Sequence, residues 1–399
     1  MEKILTGSHR LLKNLNSNVI LNLVRTNAPI SGAGLAKITG MRPSTVQNIL
    51  KTLEKKGMVL KIGTGNSTQL GGRRPTLWNI CGNYGYVLGI QLELNEIRAV
   101  LVDLNSQIIA EKNHRIIRFN PLFDIEKKIV EIIKDILNTK RIDKHRLLGI
   151  GIGVSGLVDI SDGVIIKTSL FSPSQPPIHL EKSLKKYFNV PIYIENDANA
   201  AALAEKWFGK AKEANHFIFT LLVIDRDVFG VGYGLVLDNA IYRGANMFAG
   251  ETTSFTLSIK KILKEYCNYH NNLMLSGQSI PIEEIEINHL LQALDLKNEI
   301  AIQFFQEVGK IVGTGLVQAL NLLDPKMIVI GGEATKAKDF LLDPIRQIIQ
   351  SECSLGVERQ FSVVESSLSN YAVALGAATI ILQKIFREPL IKTIGFGEG

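Results

Sequence analysis

Pro43-Ser44-Thr45-Val46-Gln47-Asn48-Ile49-Leu50-Lys51-Thr52-Leu53 is the stretch on which the fold turns. Val46, Ile49, Leu50 and Leu53 fall at the spacing of one helical face, and Pro43 stands where a helix tolerates proline, in its first turn. Ser44 and Gln47 have the spacing of a capping box. Just upstream, Ser31 is a good N-cap for a short helix carrying Leu35 and Ile38, which Gly40 closes. Further back, Val19, Ile20, Leu23 and Val24 mark a first helix ended by Asn27-Ala28-Pro29. Three helices with a glycine-containing turn before the third form a helix-turn-helix.

Downstream, 58–62 and 75–80 read as two strands around a Gly/Ser/Asn-rich tip, the β-wing of a winged helix. The wing contains Gly71-Gly72-Arg73-Arg74-Pro75, whose glycines permit close backbone approach and whose arginines suit a narrow, negative minor groove. The open face of the third helix, with the turn before it, carries Arg42, Ser44, Thr45, Gln47, Asn48 and Lys51. These guanidinium, hydroxyl, amide and ammonium groups reach base edges and phosphates in a major groove. Charge supports this assignment. Residues 1–82 hold twelve Lys and Arg against Glu2 and Glu54, a net +10; the remainder, with 33 basic and 36 acidic residues, carries −3. A basic segment on a near-neutral body is the footprint of phosphate-backbone binding. Residues 1–82 are therefore expected to be a DNA-binding domain for a double-stranded operator, which a twofold assembly, dimer or tetramer, would read as paired half-sites.

From residue 83 onward strands and helices alternate, the mark of an α/β fold. Strands are expected at 87–92, 97–102, 107–110 and 147–154, with a helix at 125–137. The same opening recurs at 216–222, 230–237 and 240–243, a weak duplication that predicts two lobes with a cleft between them, the actin/hexokinase-like (ribonuclease H-like) architecture. A strand at 327–330 runs into Gly331-Gly332-Glu333, a turn suited to close ligand approach. The helix at 371–386 is expected to pack back on the first lobe. The predicted division is 83–198 for lobe 1, completed by 371–399, and 199–370 for lobe 2.

Other classes are set aside by composition. With 46% hydrophobic residues the chain can fill packed cores. No apolar run approaches the ~20 residues of a membrane span, and the N-terminus lacks a signal-peptide core. Three distant cysteines, Cys81, Cys267 and Cys353, fit a reduced cytoplasm. Cys267 and His270 have half the spacing of a zinc site but no second pair nearby, so no metal is expected.

Three motifs then carry a resemblance over nearly the whole chain. Glu195-Asn196-Asp197-Ala198-Asn199-Ala200-Ala201-Ala202 resembles the E-N-D-A-N-A-A-A segment of the ROK family of repressors, open reading frames and sugar kinases. Tyr242-Arg243-Gly244-Ala245-Asn246-Met247-Phe248-Ala249-Gly250-Glu251 is similar to its Y-R-G-A-N-G-x-A-G-E, and 324–332 to its D-P-x-x-I-V-I-G-G. Family members with an added winged helix are xylose-type and N-acetylglucosamine-type repressors. The resemblance implies that Asp197 matches a catalytic aspartate and that Asn196, Asp197, Asn246 and Glu251 contact a sugar or sugar phosphate. Carboxylates and amides suit vicinal hydroxyls, although capping of turns explains the same residues.

The departures from the family pattern are as informative. Where kinases have D-x-G-G-T, this chain reads Gln91-Leu92-Glu93-Leu94-Asn95, without glycines and with a carboxylate facing phosphates. The second loop, Asp227 to Gly234, is only partly kept, with bulky Phe229 inside it. After Glu251 come Thr252-Thr253-Ser254 in place of the family's zinc cluster. The expectation is a repressor of carbohydrate-utilisation genes with a disabled kinase-like body, no cofactor and no metal. The alternative is an active ATP-dependent sugar kinase with an accessory DNA-binding domain.

Overall fold

The structure, a computed structural model, describes residues 9–65, 74–93, 96–115, 123–168, 176–225, 228–251, 257–353 and 361–387. The chain opens with α1 (His9–Asn27), β1 (Ile30–Ser31), α2 (Gly32–Thr39), α3 (Pro43–Lys55), β2 (Val59–Thr64) and β3 (Thr76–Ile80). The Ser31 hydroxyl accepts from the Gly34 amide at 3.0 Å, and Gly40, at φ 69°, stops α2 by returning its amide to the Ala36 carbonyl. The expected capping box is not formed. Proline's fixed φ starts α3 at Pro43, so Arg42 takes the cap position without a side-chain bond and Ser44 is already inside the helix. α1 runs back to His9, well before Asn18, because no proline or glycine interrupts those residues. The three strands pair antiparallel in the order β1-β3-β2.

Lobe 1 follows: β4 (Tyr86–Leu92), β5 (Glu96–Asp103), β6 (Ile108–Arg115), α4 (Phe123–Thr139), β7 (Leu147–Val154), the hairpin β8 (Leu157–Asp159) and β9 (Val164–Lys167), α5 (Leu180–Leu184) and β10 (Ile192–Asn196). α6 (Asp197–Trp207) leads out of it. Lobe 2 comprises β11 (Phe217–Asp225), β12 (Val228–Leu237), β13 (Ala240–Ile241), β14 (Leu257–Ser258), α7 (Ile259–Lys261), β15 (Leu273–Leu275), β16 (Gln278–Ile280), α8 (Ile287–Asp295), α9 (Glu299–Leu323), β17 (Met327–Gly332), α10 (Asp339–Glu352) and β18 (Ser362–Glu365). The chain returns through α11 (Ala372–Arg387).

The two large sheets share one plan. In lobe 1 the order is β10-β7-β4-β5-β6; in lobe 2 it is β18-β17-β11-β12-β13, with β14 beside β12. Each has an antiparallel meander whose first strand is central and whose other side takes two parallel strands. The duplication expected from the sequence is thus a repeated topology, and the two-lobed α/β architecture follows from it.

Where α11 crosses lobe 1, the backbones touch. A Cβ on Gly151 would lie 1.9 Å from the Ala377 carbonyl oxygen, and one on Gly376 would lie 1.6 Å from that of Ala200 in α6. Only glycine admits such an approach. Beneath this crossing, Ile20, Leu21 and Val24 of α1 and Trp78 of β3 belong to one continuous apolar cluster with Leu382, Ile385 and Phe386 of α11. The winged helix is therefore seated on the body. The Arg25 guanidinium caps the seat, 3.9 Å from the Trp207 ring centroid and 5.3 Å from that of Phe386.

Candidate nucleic-acid interface and inter-lobe cleft

α3 is divided cleanly. Val46, Ile49, Leu50 and Leu53 are buried against α1 and α2, while Arg42, Ser44, Thr45, Gln47, Asn48 and Lys51 are all exposed. Six polar groups thus share one open surface at the start of the third helix. Gln47 also lies against Gly32: a Cβ there would come within 2.4 Å of its Nε2. The wing base is closed by the Gly65 amide donating to the Pro75 carbonyl at 2.8 Å, and Arg74 beside it is exposed. Arg73 and the wing tip lie outside the described residues.

The cleft is built at the junction of β10 and α6. The sequence turns there because Asn196, with extended φ/ψ, caps α6: its Oδ1 accepts from the Asn199 amide at 3.1 Å. Its Nδ2 is left to reach out, donating to Gly156 O at 3.2 Å and, across the cleft, to Glu251 Oε1 at 2.7 Å. Asp197 follows, buried, its carboxylate accepting from the Ala198 amide at 2.8 Å and from Ser155. Burial pushes the Asp197 carboxyl above the usual carboxylate range. Glu251 is pushed up to about 7, by burial first and by the charge of Asp197 second. The structure thus brings Asn196, Asp197 and Glu251 together. Asn246 stands apart, exposed on the loop after β13, and has no hydrogen bond to them among the described residues. In the same loop Met247 adopts φ 63° at the place where the family motif has glycine.

A second cross-lobe pair supports the first. Glu195, whose side chain is 2% exposed, meets Arg243 of lobe 2 at 2.6 Å. Its other oxygen accepts from the Asn196 amide at 3.0 Å and from Asn199 Nδ2 at 3.2 Å. Arg243 thereby fixes the turn that presents Asn196 and Asp197. Glu195, Arg243 and Ser155 were not among the residues singled out from the sequence, although two of them sit inside the quoted motifs. A buried acid in one motif and an arginine in the other was the available signal.

The first phosphate loop is occupied by protein. Glu93 accepts from Arg98 at 2.7 Å and from the Gln91 amide; Arg98 also pairs with Glu96 and donates to the Asn370 carbonyl at 3.4 Å. Burial raises the Glu93 carboxyl; Arg98 opposes this, and Glu333 and Asp197 add to it. On the other lobe Gly331 packs on the Phe219 ring and Gly332, at φ 101°, on the Leu222 backbone. These glycines serve the interior of lobe 2. Phe229 is likewise core, 2% exposed; Leu94, Asn95, Asp227 and 252–254 lie outside the described residues. Cys267 is buried, its thiol pushed up to about 11, and among the described residues no group of His, Cys, Asp and Glu is arranged to hold a metal ion. No helix among them is long and apolar enough to cross a membrane.

This arrangement has known counterparts. Residues 16–59 match the winged helix-turn-helix DNA-binding family model. A xylose repressor of Bacillus spizizenii is 29% identical over 93% of this chain and 96% of its own. An N-acetylglucosamine repressor of Shigella flexneri is 25% identical over 97% of each. Among solved structures, a ROK family transcriptional regulator described as a homologue of the Escherichia coli MLC protein superposes with a TM-score of 0.75 at 20% identity, covering 94% of this chain and 97% of that one. A ROK glucokinase from Streptomyces griseus covers 74% of this chain and 99% of its own, with a TM-score of 0.59 and 23% identity, so the body shares the sugar-kinase fold. The ROK family model itself matches residues 87–384. The chain belongs to the ROK family.

Proposed function

We propose that this chain is a DNA-binding transcriptional repressor of carbohydrate-utilisation genes, acting in the cytoplasm as a homodimer or homotetramer. Its inter-lobe cleft takes a sugar or sugar phosphate through Asn196, Asp197 and Glu251, with Asn246 closing from the loop after β13. Arg42, Ser44, Thr45, Gln47, Asn48, Lys51, Arg73 and Arg74 contact the operator. The observation that carries this reading is the joining of an open polar and basic α3 face to a ROK body whose first phosphate loop is filled by the Glu93–Arg98 pair. Such a body can hold a sugar against Asp197 while offering ATP no backbone cradle, which disfavours phosphoryl transfer. Relatives that span nearly the whole chain and are named as repressors support the same conclusion.

The test is a gel shift of the full-length protein on DNA from upstream of its own gene, titrated with pentoses and hexoses. Specific retention that a sugar relieves is the expected result. Retention insensitive to every sugar removes the effector role, and turnover of ATP in a coupled assay with the same sugars removes the non-enzymatic one.

A further inference from the structure

The cleft has two ends, and their charges differ in kind. At the sugar end stand Asn196, Asp197 and Glu251, hydrogen-bonding groups suited to hydroxyls. At the end toward the phosphate loops, carboxylates arrive from both lobes: Glu93 from the close of β4, and Glu333 from the turn after β17. Both lie close enough that Glu333 and Asp197 each make the Glu93 charge costlier. The cations at this end are engaged. Arg98 is shared by Glu93, Glu96 and the Asn370 carbonyl, Lys336 pairs with Glu333 at 2.7 Å, and Arg243 is held by Glu195.

By the family correspondence, Asp197 faces the hydroxyl that a kinase would phosphorylate. A sugar already phosphorylated there would bring a dianion against Asp197, Glu93 and Glu333, in a partly desolvated cleft where like charges repel more strongly than in water. Phosphate recognition calls for the opposite, a free arginine fork, a lysine or a set of convergent amides.

We infer that the cleft is built for an unphosphorylated sugar and that Glu93 and Glu333 exclude the corresponding sugar phosphate. This rests on the cleft being the effector site, and it narrows the ligand to a neutral polyol ring. Discrimination of at least about thirtyfold, roughly 2 kcal/mol at 1.4 kcal/mol per tenfold, is the expected scale.

The experiment is calorimetric titration of the full-length protein with xylose, glucose and N-acetylglucosamine, and with xylose 5-phosphate, glucose 6-phosphate and N-acetylglucosamine 6-phosphate. A neutral sugar that binds while its phosphate is at least thirtyfold weaker supports the inference. A phosphate that binds as tightly as its parent, or tighter, overturns it and leaves the cleft assignment standing. Silence from all six overturns the cleft assignment and the inference with it. The double variant Glu93→Gln, Glu333→Gln then separates electrostatic exclusion from shape: the ratio between sugar and phosphate narrows at least about tenfold if the carboxylates exclude. An unchanged ratio removes them from the role. Arg226 lies outside the described residues, so Arg226→Ala is run alongside; phosphate binding that this substitution abolishes also overturns the inference.

Discussion

Glu251 illustrates how a single carboxyl is set by its neighbours. Its ordinary value of 4.5 rises to about 7 because burial and Asp197 both disfavour the charge, while Asn196 donates to the oxygen that remains. A raised acid stabilises the fold fully below pH 4.5, and that contribution is lost as pH rises through about 7. One side of Glu251 stays open to solvent, which moderates the effect. Thermal melts should therefore show a fall in melting temperature between pH 5 and pH 8 that is smaller in Glu251→Gln; Asp197 and Glu93, raised for the same reason, keep it from vanishing. An identical fall in both proteins rules out this assignment. Arg243 makes the complementary case. Its removal leaves Glu195 buried beside an empty place, and Arg243→Ala should cost about 3 kcal/mol in urea unfolding, with Arg243→Lys recovering part of it. A loss under about 0.5 kcal/mol would mean that water replaces the guanidinium.

Helices divide into those that read and those that transmit packing. On α3 the polar groups are exposed, so substitutions there should leave stability nearly unchanged. Lys51→Ala is expected to weaken binding to all DNA sequences alike and to lower the salt slope by about one, whereas Asn48→Ala should relax sequence preference. Both are checked by operator titrations at several salt concentrations; a Lys51→Ala slope equal to the parent's excludes a phosphate contact. α6 and α11 behave otherwise. Gly376→Ala sets a methyl 1.6 Å from the Ala200 carbonyl oxygen, and the helices must part, at a cost of about 3 kcal/mol visible as a lower melting temperature. Elements of this kind were legible where local rules decide. Leu147–Val154 matches the predicted strand end to end, and Ser31 and Gly40 bound α2 as their chemistry requires. The start of α3 was misread because Pro43 outweighs the side chain of Ser44. The contacts that shape the cleft were not legible. Asn196 and Glu251 are 55 positions apart, and Glu195 and Arg243 are 48 apart, so no periodicity could pair them.

At the scale of the molecule, the winged helix, lobe 1 and α11 share one apolar cluster, and Arg25 lies over Trp207 and Phe386 at its edge. Trp207 ends α6, the helix whose other end holds Asn196 and Asp197. Arg25→Ala should therefore loosen the seat of the winged helix, at about 1 kcal/mol for the cation–π contact, and hydrogen exchange along α1 should quicken while that along α9 does not. Equal exchange along α1 in both proteins excludes the contact from that role. The cluster has a wider consequence. Ile20, Leu21, Val24 and Trp78 find their apolar surroundings partly in Leu382, Ile385 and Phe386, so a reading head cut away near residue 82 would carry a greasy underside into water. A chimera that borrows another regulator's head must therefore import a matching set of side chains on the last helix of the chain, some three hundred positions away. New operator preferences on this body are more readily reached by altering the outward residues of α3 in place than by exchanging the whole head.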